Sequence, residues 1–165
     1  MRRRRPDPII EQVRRMTTAL RIPQPWDLAV FLAQVTAVVG KEIRLMPLPP
    51  GLADGMPCGV LLESADHIVI AYDAESSGYH AEHIVLHEIG HLLLDHAGVD
   101  ADRARRATIE MLFPSMDPDS VLRVLQRSDY DDAAEHQAEL FASLVLSESR
   151  TAPVGSPVRR TIFRD

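Results

Sequence analysis

The chain has 165 residues, of which 45% are hydrophobic and 25% charged, with a net charge of −6 and one cysteine, Cys58. This composition is typical of a single globular domain and argues against a collagen-like repeat or a disulfide scaffold. The acidic balance disfavours direct nucleic-acid binding, which needs basic side chains in excess, and the lone cysteine suits a reducing cytoplasm.

The N-terminal part of the chain predicts a tail and two helices. Residues 1–6 contain four consecutive arginines and are predicted to be a disordered basic tail. Apolar residues at helical spacing predict a helix from Asp7 or Pro8 to about Leu20. A second helix is predicted over Leu28–Val39, begun by Asp27 and ended by Gly40. Because this segment is apolar almost all round, we expect it to be buried; it is too short and too interrupted to span a membrane.

The middle of the chain predicts a small sheet. A short strand is expected around Ile43 and Leu45, followed by a loop rich in proline and glycine over 47–59. Two further strands, Gly59–Glu63 and His67–Tyr72, are separated by three residues and are expected to pair antiparallel.

The second half of the chain predicts helices. The strongest spans about His80–His96, two shorter ones are expected over 102–111 and 118–127, and the last spans about 131–147. Residues 148–165 are predicted to be a C-terminal tail. The predicted fold is thus a single α+β domain over 7–147, mostly helical, with a small antiparallel sheet next to the His80–His96 helix.

The pentapeptide His87-Glu88-Ile89-Gly90-His91 lies on this helix. Residues four apart differ by about 40° around a helix, so His87 and His91 can direct both imidazoles at one metal ion. Glu88, rotated by about 100° from His87, cannot be a third ligand at the same point but can reach a water bound to the metal. Glu88 is therefore a candidate general base.

Two histidines do not hold zinc well, so a third ligand is expected on a separate element downstream. Glu135 is the candidate, because Ala138, Ala142 and Val145 form a stripe of small residues beside it on the last helix. Small side chains would allow this helix to approach the histidine helix closely enough for a carboxylate to reach the metal.

The HEIGH pentapeptide and the later run EHQAELFASLVL together resemble the ImmA/IrrE family of zincin metallopeptidases over about 27–147. The resemblance implies a zincin-like fold, one Zn²⁺ per chain held by His87, His91 and Glu135, and Glu88 as the base that takes a proton from the attacking water. Glu139 stands where the family usually has Asn or Asp, and the resemblance makes it a candidate to orient a ligand histidine. The Leu-Met-Pro ending common in the family is replaced after Leu146 by Ser147 and Glu148.

Further roles in the predicted cleft remain open from the sequence. Tyr130, His136, Tyr79 and His83 are candidates for the hydrogen-bond donor that stabilises the transition state. The strand Ile68–Tyr72 either offers its edge to an extended substrate or only covers the helix. His67, His80 and His96 are expected to be surface or capping residues.

The resemblance implies a cytoplasmic zinc-dependent endopeptidase of regulatory type, and the expected substrate is a separately encoded helix-turn-helix repressor or another regulatory protein. Neither nucleic acid nor a membrane is an expected partner. The alternative is a non-catalytic metal-binding interaction module that partners a transcription regulator; Glu88 favours the enzyme, because a structural metal site needs no base. A third possibility, a zinc-independent helical domain, would require both motifs to be coincidental.

Overall fold

A computed structural model describes residues 8–49, 59–96, 102–126 and 130–151. The helices are α1 (Pro8–Ala19), α2 (Leu28–Val39), α3 (Gly78–Leu93), α4 (Asp102–Leu112) and α5 (Asp132–Arg150). The strands are β1 (Glu42–Leu48), β2 (Gly59–Ser64), β3 (His67–Asp73) and β4 (Val121–Gln126). The predicted α+β class is confirmed. The basic tail 1–6, Cys58 and most of the predicted C-terminal tail lie outside the described residues.

Local signals at the helix ends act as the sequence predicts. The Asp27 side chain accepts a hydrogen bond from the Val30 N–H at 3.0 Å and begins α2. Gly40 ends the same helix at φ 73°, a left-handed conformation that glycine adopts without a steric cost. The last helix runs further than predicted, to Arg150 instead of residue 147, with Ser149 buried near its end.

The expectation that α2 is buried on all sides is wrong. Only Phe31 and Val35 are buried, whereas Val30 and Val38 are 50% and 66% exposed. The helix lies at the outside of the domain and contacts the core along one face, so its apolar outer face is left in solvent. Among the described residues, no helix is both long enough and apolar enough to cross a membrane.

The four strands form one sheet in the order β1-β3-β2-β4. The β2 and β3 strands pair antiparallel as predicted, and β4 is antiparallel to β2, but β1 is parallel to β3. The sheet is therefore mixed, which corrects the prediction of a purely antiparallel sheet. After β2 the chain turns back, and β3 lies between β1 and β2. This interior position agrees with the unbroken run of buried residues from Ile68 to Ala71.

The predicted helix over 118–127 is also wrong. Asp117 does begin a helical turn, since its side chain accepts from the Asp119 N–H, but this turn ends at Ser120 and β4 follows. Pairing with β2 provides contacts that a local sequence pattern does not reveal. Val121 is buried, and Arg123 forms a 2.8 Å ion pair with Glu63 on β2. These long-range contacts favour the extended conformation over the helix.

The sheet separates two hydrophobic cores. One face packs against α1, α2, α3 and α5, and the other packs against α4. Side chains alternate between the two sides, with Leu61 and Ile70 on the first and Val60 and Val69 on the second. The first core supports the candidate site, which lies between α3 and α5.

Candidate metal centre

Two histidines of α3 meet along one side of the helix. His87 and His91 are one turn apart, and their Nε2 atoms lie 3.1 Å from each other. His91 is completely buried, and His87 keeps 17% of its side chain exposed. The predicted convergence of the two imidazoles is thus present.

Glu135, in the first turn of α5, faces both histidines. Its Oε1 lies 3.3 Å from His91 Nε2, and its Oε2 lies 3.5 Å from His87 Nε2. One ligand atom from each of the three residues lies within 4.8 Å of the others. The structure therefore brings the three predicted ligands together in a group positioned to bind a metal ion.

Small residues at the crossing of α3 and α5 make this reach possible. A Cβ added to Gly90 would come within 3.0 Å of Ala138 Cα and 3.2 Å of the Ala138 carbonyl oxygen, which are backbone atoms that cannot rotate away. Ala138 and Ala142 are fully buried at this interface, as the predicted stripe of small residues requires. Because Glu135 lies one turn before Ala138, the close crossing carries its carboxylate to the histidines.

Glu88 lies at the wall of a cavity of about 580 Å³ that also includes His87 and Glu135. Its side chain is 3% exposed, and Oε2 has no hydrogen-bond partner among the described residues. Burial, reinforced by the charge of Glu135, raises the pKa of Glu88 to about 8. A cation bound by the neighbouring ligands would favour the ionised carboxylate again, so this buried acid suits a site that holds a positive ion.

Gly59, the first residue of β2, has no side chain, and the Glu88 carboxylate lies close to where its Cβ would be. A Cβ at this position would lie 2.7 Å from Glu88 Oε1 and 2.9 Å from Ile84 Cγ2. A side chain at this point, where the sheet and α3 touch, would have to displace the side chains of Glu88 and Ile84. The sequence predicted Gly59 at the start of a strand, without a role in the site.

The surroundings of His91 keep its ring neutral and fixed. Burial, together with the neighbouring His87 and His96, lowers the pKa of His91 to about 3. The Tyr130 ring stacks on the His91 ring with 3.5 Å between centroids and 7° between planes. A neutral imidazole is the form that binds a metal, so both features prepare His91 as a ligand.

Glu139 lies on the Nδ1 side of His87 and next to His83. Its Oε2 is 3.0 Å from His83 Nε2 and 3.7 Å from His87 Nδ1. Partial burial opposes ionisation of Glu139, but the His83 hydrogen bond and the nearby His83 and His87 outweigh it, so its pKa is lowered. The direct partner of Glu139 is therefore His83, with His87 slightly farther away.

The four candidate donors for stabilising the transition state lie in different surroundings. His136, Tyr79 and His83 line the cavity, whereas the Tyr130 ring packs flat on His91. The strand Ile68–Tyr72 cannot offer a free edge, because β3 pairs with β1 on one side and β2 on the other. The free edges of the described sheet belong to β1 and β4.

The site also contains two residues that sequence analysis missed, His96 and Gln137. His96 was expected at the surface or in a cap, yet its Nδ1 lies 2.8 Å from His91 Nδ1, and its Nε2 lies 2.8 Å from Gln137 Oε1. Residues five apart on a continuous helix point about 140° away from each other, so spacing gave no signal. The contact exists because α3 ends before His96.

Comparisons with protein-family models, with curated proteins and with solved structures gave no match for this chain.

Proposed function

We propose that this chain is a zinc-dependent endopeptidase of regulatory type, similar to the ImmA/IrrE metallopeptidases. The observation that carries the proposal is the buried carboxyl of Glu88 on the wall of the cavity that also contains the ligands His87 and Glu135. A site that only holds a metal for stability has no use for this additional, poorly solvated acid.

The donor set favours a transition metal such as zinc over Mg²⁺ and Ca²⁺. Two imidazole nitrogens and one carboxylate suit Zn²⁺, whereas Mg²⁺ and Ca²⁺ prefer oxygen ligands alone. The Nε2 atoms of His87 and His91 are 3.1 Å apart, and the Glu135 carboxylate places Oε1 3.3 Å from His91 and Oε2 3.5 Å from His87. Three protein ligands also leave a fourth position open, as in catalytic zinc sites.

The proposed reaction is hydrolysis of a peptide bond. When bound, zinc would supply Lewis acidity, which lowers the pKa of a water molecule and polarises a carbonyl group. We assign Glu88 the transfer of the proton from the attacking water to the leaving amine. Glu135 completes the ligand set, and Glu139 would hold His87 from its Nδ1 side.

The proposed substrate is a regulatory protein, such as a separately encoded helix-turn-helix repressor, in the cytoplasm. This part of the proposal rests on the family resemblance of the two motifs. The cavity of about 580 Å³ offers room for a few residues of an extended chain beside the candidate base.

A second candidate function is a non-catalytic, metal-binding module that partners a transcription regulator. The observation that favours it is α2, which contains no charged residue and leaves Val30 and Val38 largely exposed. Exposed apolar faces of this kind often contact other proteins.

Metal content and proteolysis together test the proposal. We expect about one zinc per wild-type chain, the same content in Glu88→Gln, and far less in Glu135→Ala. Zinc-loaded wild-type protein should cleave a helix-turn-helix repressor encoded beside it or peptides in a proteome-derived library, while Glu88→Gln should cleave neither. Full biological activity of Glu88→Gln with its zinc retained would instead support the interaction module.

A further inference from the structure

The end of α3 is built so that His96 turns back onto the metal ligand His91. Asp95 adopts φ 53°, a left-handed conformation that is uncommon for residues other than glycine. The His96 N–H then donates to the His91 carbonyl oxygen at 3.1 Å, which closes the helix in the manner of a Schellman turn. This turn brings the His96 imidazole beside the Nδ1 atom of His91.

A chain of two hydrogen bonds leads away from His91. His91 Nδ1 lies 2.8 Å from His96 Nδ1, and His96 Nε2 lies 2.8 Å from Gln137 Oε1. Gln137 belongs to α5, so the chain joins the end of α3 to the helix that carries Glu135. Each contact is of normal hydrogen-bond length, and each requires one proton.

The chemistry of the last acceptor fixes one proton in this chain, and two neutral imidazoles then leave a single arrangement for the other. The Gln137 Oε1 atom is a carbonyl oxygen and only accepts, so His96 Nε2 must carry a proton. In its neutral form, His96 then has an unprotonated Nδ1, which accepts from His91 Nδ1–H. Neutral His91 is consequently left with a lone pair on Nε2, the atom that faces His87 and Glu135.

We infer that His96 and Gln137 are positioning residues that hold His91 in the tautomer able to bind a metal through Nε2. The inference deepens the metal site of the proposed function and is independent of peptidase activity. In metal sites a carboxylate or backbone carbonyl commonly accepts from the ligand histidine. Here a second histidine takes that role, and the amide of Gln137 sets its direction.

The inference predicts a defined tautomer and a graded loss of zinc affinity. In metal-free wild-type protein with ¹⁵N-labelled histidine, long-range ¹H–¹⁵N spectra should show His91 protonated on Nδ1. Removal of the acceptor in His96→Phe should weaken zinc binding about 10- to 100-fold, the range for partners of ligand histidines. Gln137→Leu should weaken it less, by up to about tenfold, and should allow a mixture of His91 tautomers. Zinc affinity would be measured by competition with a chromophoric chelator.

Two further variants separate positioning from simple packing. Gln137→Glu retains an oxygen that only accepts, so it should restore both the tautomer and the zinc affinity that Gln137→Leu loses. His67→Phe makes the matched histidine change outside the site, where His67 contacts Asp66, and should leave zinc affinity unchanged. If Gln137 had only a packing role, Gln137→Leu and Gln137→Glu would show the same His91 tautomer.

The outcomes distinguish this inference from the proposed function. Wild-type His91 protonated on Nε2, or unchanged zinc affinity in both His96→Phe and Gln137→Leu, would overturn the inference while the metal site remained. The expected changes in a protein that cleaves no substrate would support the inference and count against the peptidase. If the wild type bound no zinc, the metal site would be wrong, and the tautomer spectra alone would decide the hydrogen-bond chain.

Discussion

The two sides of the sheet contrast in how their structures are determined. On the side of the metal centre, α3 and α5 cross closely at Gly90 and Ala138, and the ligands follow from spacing along each helix. On the opposite side, α4 covers the sheet, and the edge strand β4 is extended only because it pairs with β2. The first region depends on residue size at one crossing, and the second depends on a strand pairing between distant segments. Substitutions should therefore affect metal binding on one side and stability alone on the other.

The largest expected effect is on metal binding, from loss of the third ligand. Glu135→Ala should weaken zinc binding by more than the 10- to 100-fold typical of changes outside the ligand set, because only two protein ligands remain. Zinc content by mass spectrometry after dialysis measures this loss. Glu110→Ala removes an exposed carboxylate from α4, on the other side of the sheet, and should retain the wild-type zinc content. Equal zinc content in the two variants would contradict the proposed ligand set.

The largest expected effect on stability lies on the opposite side. Ile109 on α4 is fully buried in the second core, so Ile109→Ala should lower the free energy of unfolding by about 2 to 5 kcal/mol. Urea denaturation measures this change, and zinc stoichiometry of the folded variant should remain one per chain. Met111→Ala, at a site that is 56% exposed, should change stability by about 0.5 kcal/mol or less.

The helix crossing combines both kinds of effect. Gly90→Ala forces a methyl group against the Ala138 backbone, so we expect a loss of about 1 to 3 kcal/mol in stability and weaker zinc binding as Glu135 moves away. Gly78→Ala is the matched control, because a Cβ there meets nothing within 4 Å and alanine favours the helix. Denaturation and chelator competition on both variants would test the crossing. Zinc affinity that is unaltered in Gly90→Ala would mean that the crossing does not position Glu135.

The smallest expected effect is the pH dependence of stability in metal-free protein. The pKa of His91 is lowered from 6.5 to about 3, so the unfolded state binds more protons in that range and stability falls as pH falls. The pKa of Glu88 is raised from 4.5 to about 8, so the native state binds more protons there and stability falls as pH rises. The two effects oppose each other between pH 4.5 and 6.5. Glu88 alone acts between pH 6.5 and 8.

Between pH 6.5 and 8, stability should therefore fall with pH by up to about 1 kcal/mol per unit in the wild type, measured by urea denaturation with a chelator present. Glu88→Gln should abolish this slope, since the amide does not titrate. A slope that persists unchanged in Glu88→Gln would assign the pH dependence to another group.

Much of the candidate site followed from local residue spacing. The i, i+4 relation of His87 and His91 holds on any helix, and the small residue Ala138 beside Glu135 indicates a close helix approach from the sequence alone. Helix ends such as Asp27 and Gly40 were equally predictable, because capping depends on adjacent backbone groups.

Other features depended on contacts that spacing does not encode. The strand β4 was predicted as a helix, because its pairing partner β2 lies about sixty residues away in the chain. The outer face of α2 was expected in the core, although an apolar pattern does not reveal how many neighbours a helix has. His96 was assigned to the surface, because a left-handed residue other than glycine, Asp95, gives little signal of the turn that redirects it.

The amino-acid sequence by itself determined the helices that carry the site, the pairing of two imidazoles and the identity of the third candidate ligand, because each follows from periodicity within one element. Only the tertiary structure decided that β1 pairs parallel with β3 and that β4 is extended. It also decided the contact between Gly59 and Glu88 and the hydrogen bonds that connect His91 through His96 to Gln137. These features join elements that are distant in sequence, and their geometry is fixed by packing and hydrogen bonding between those elements.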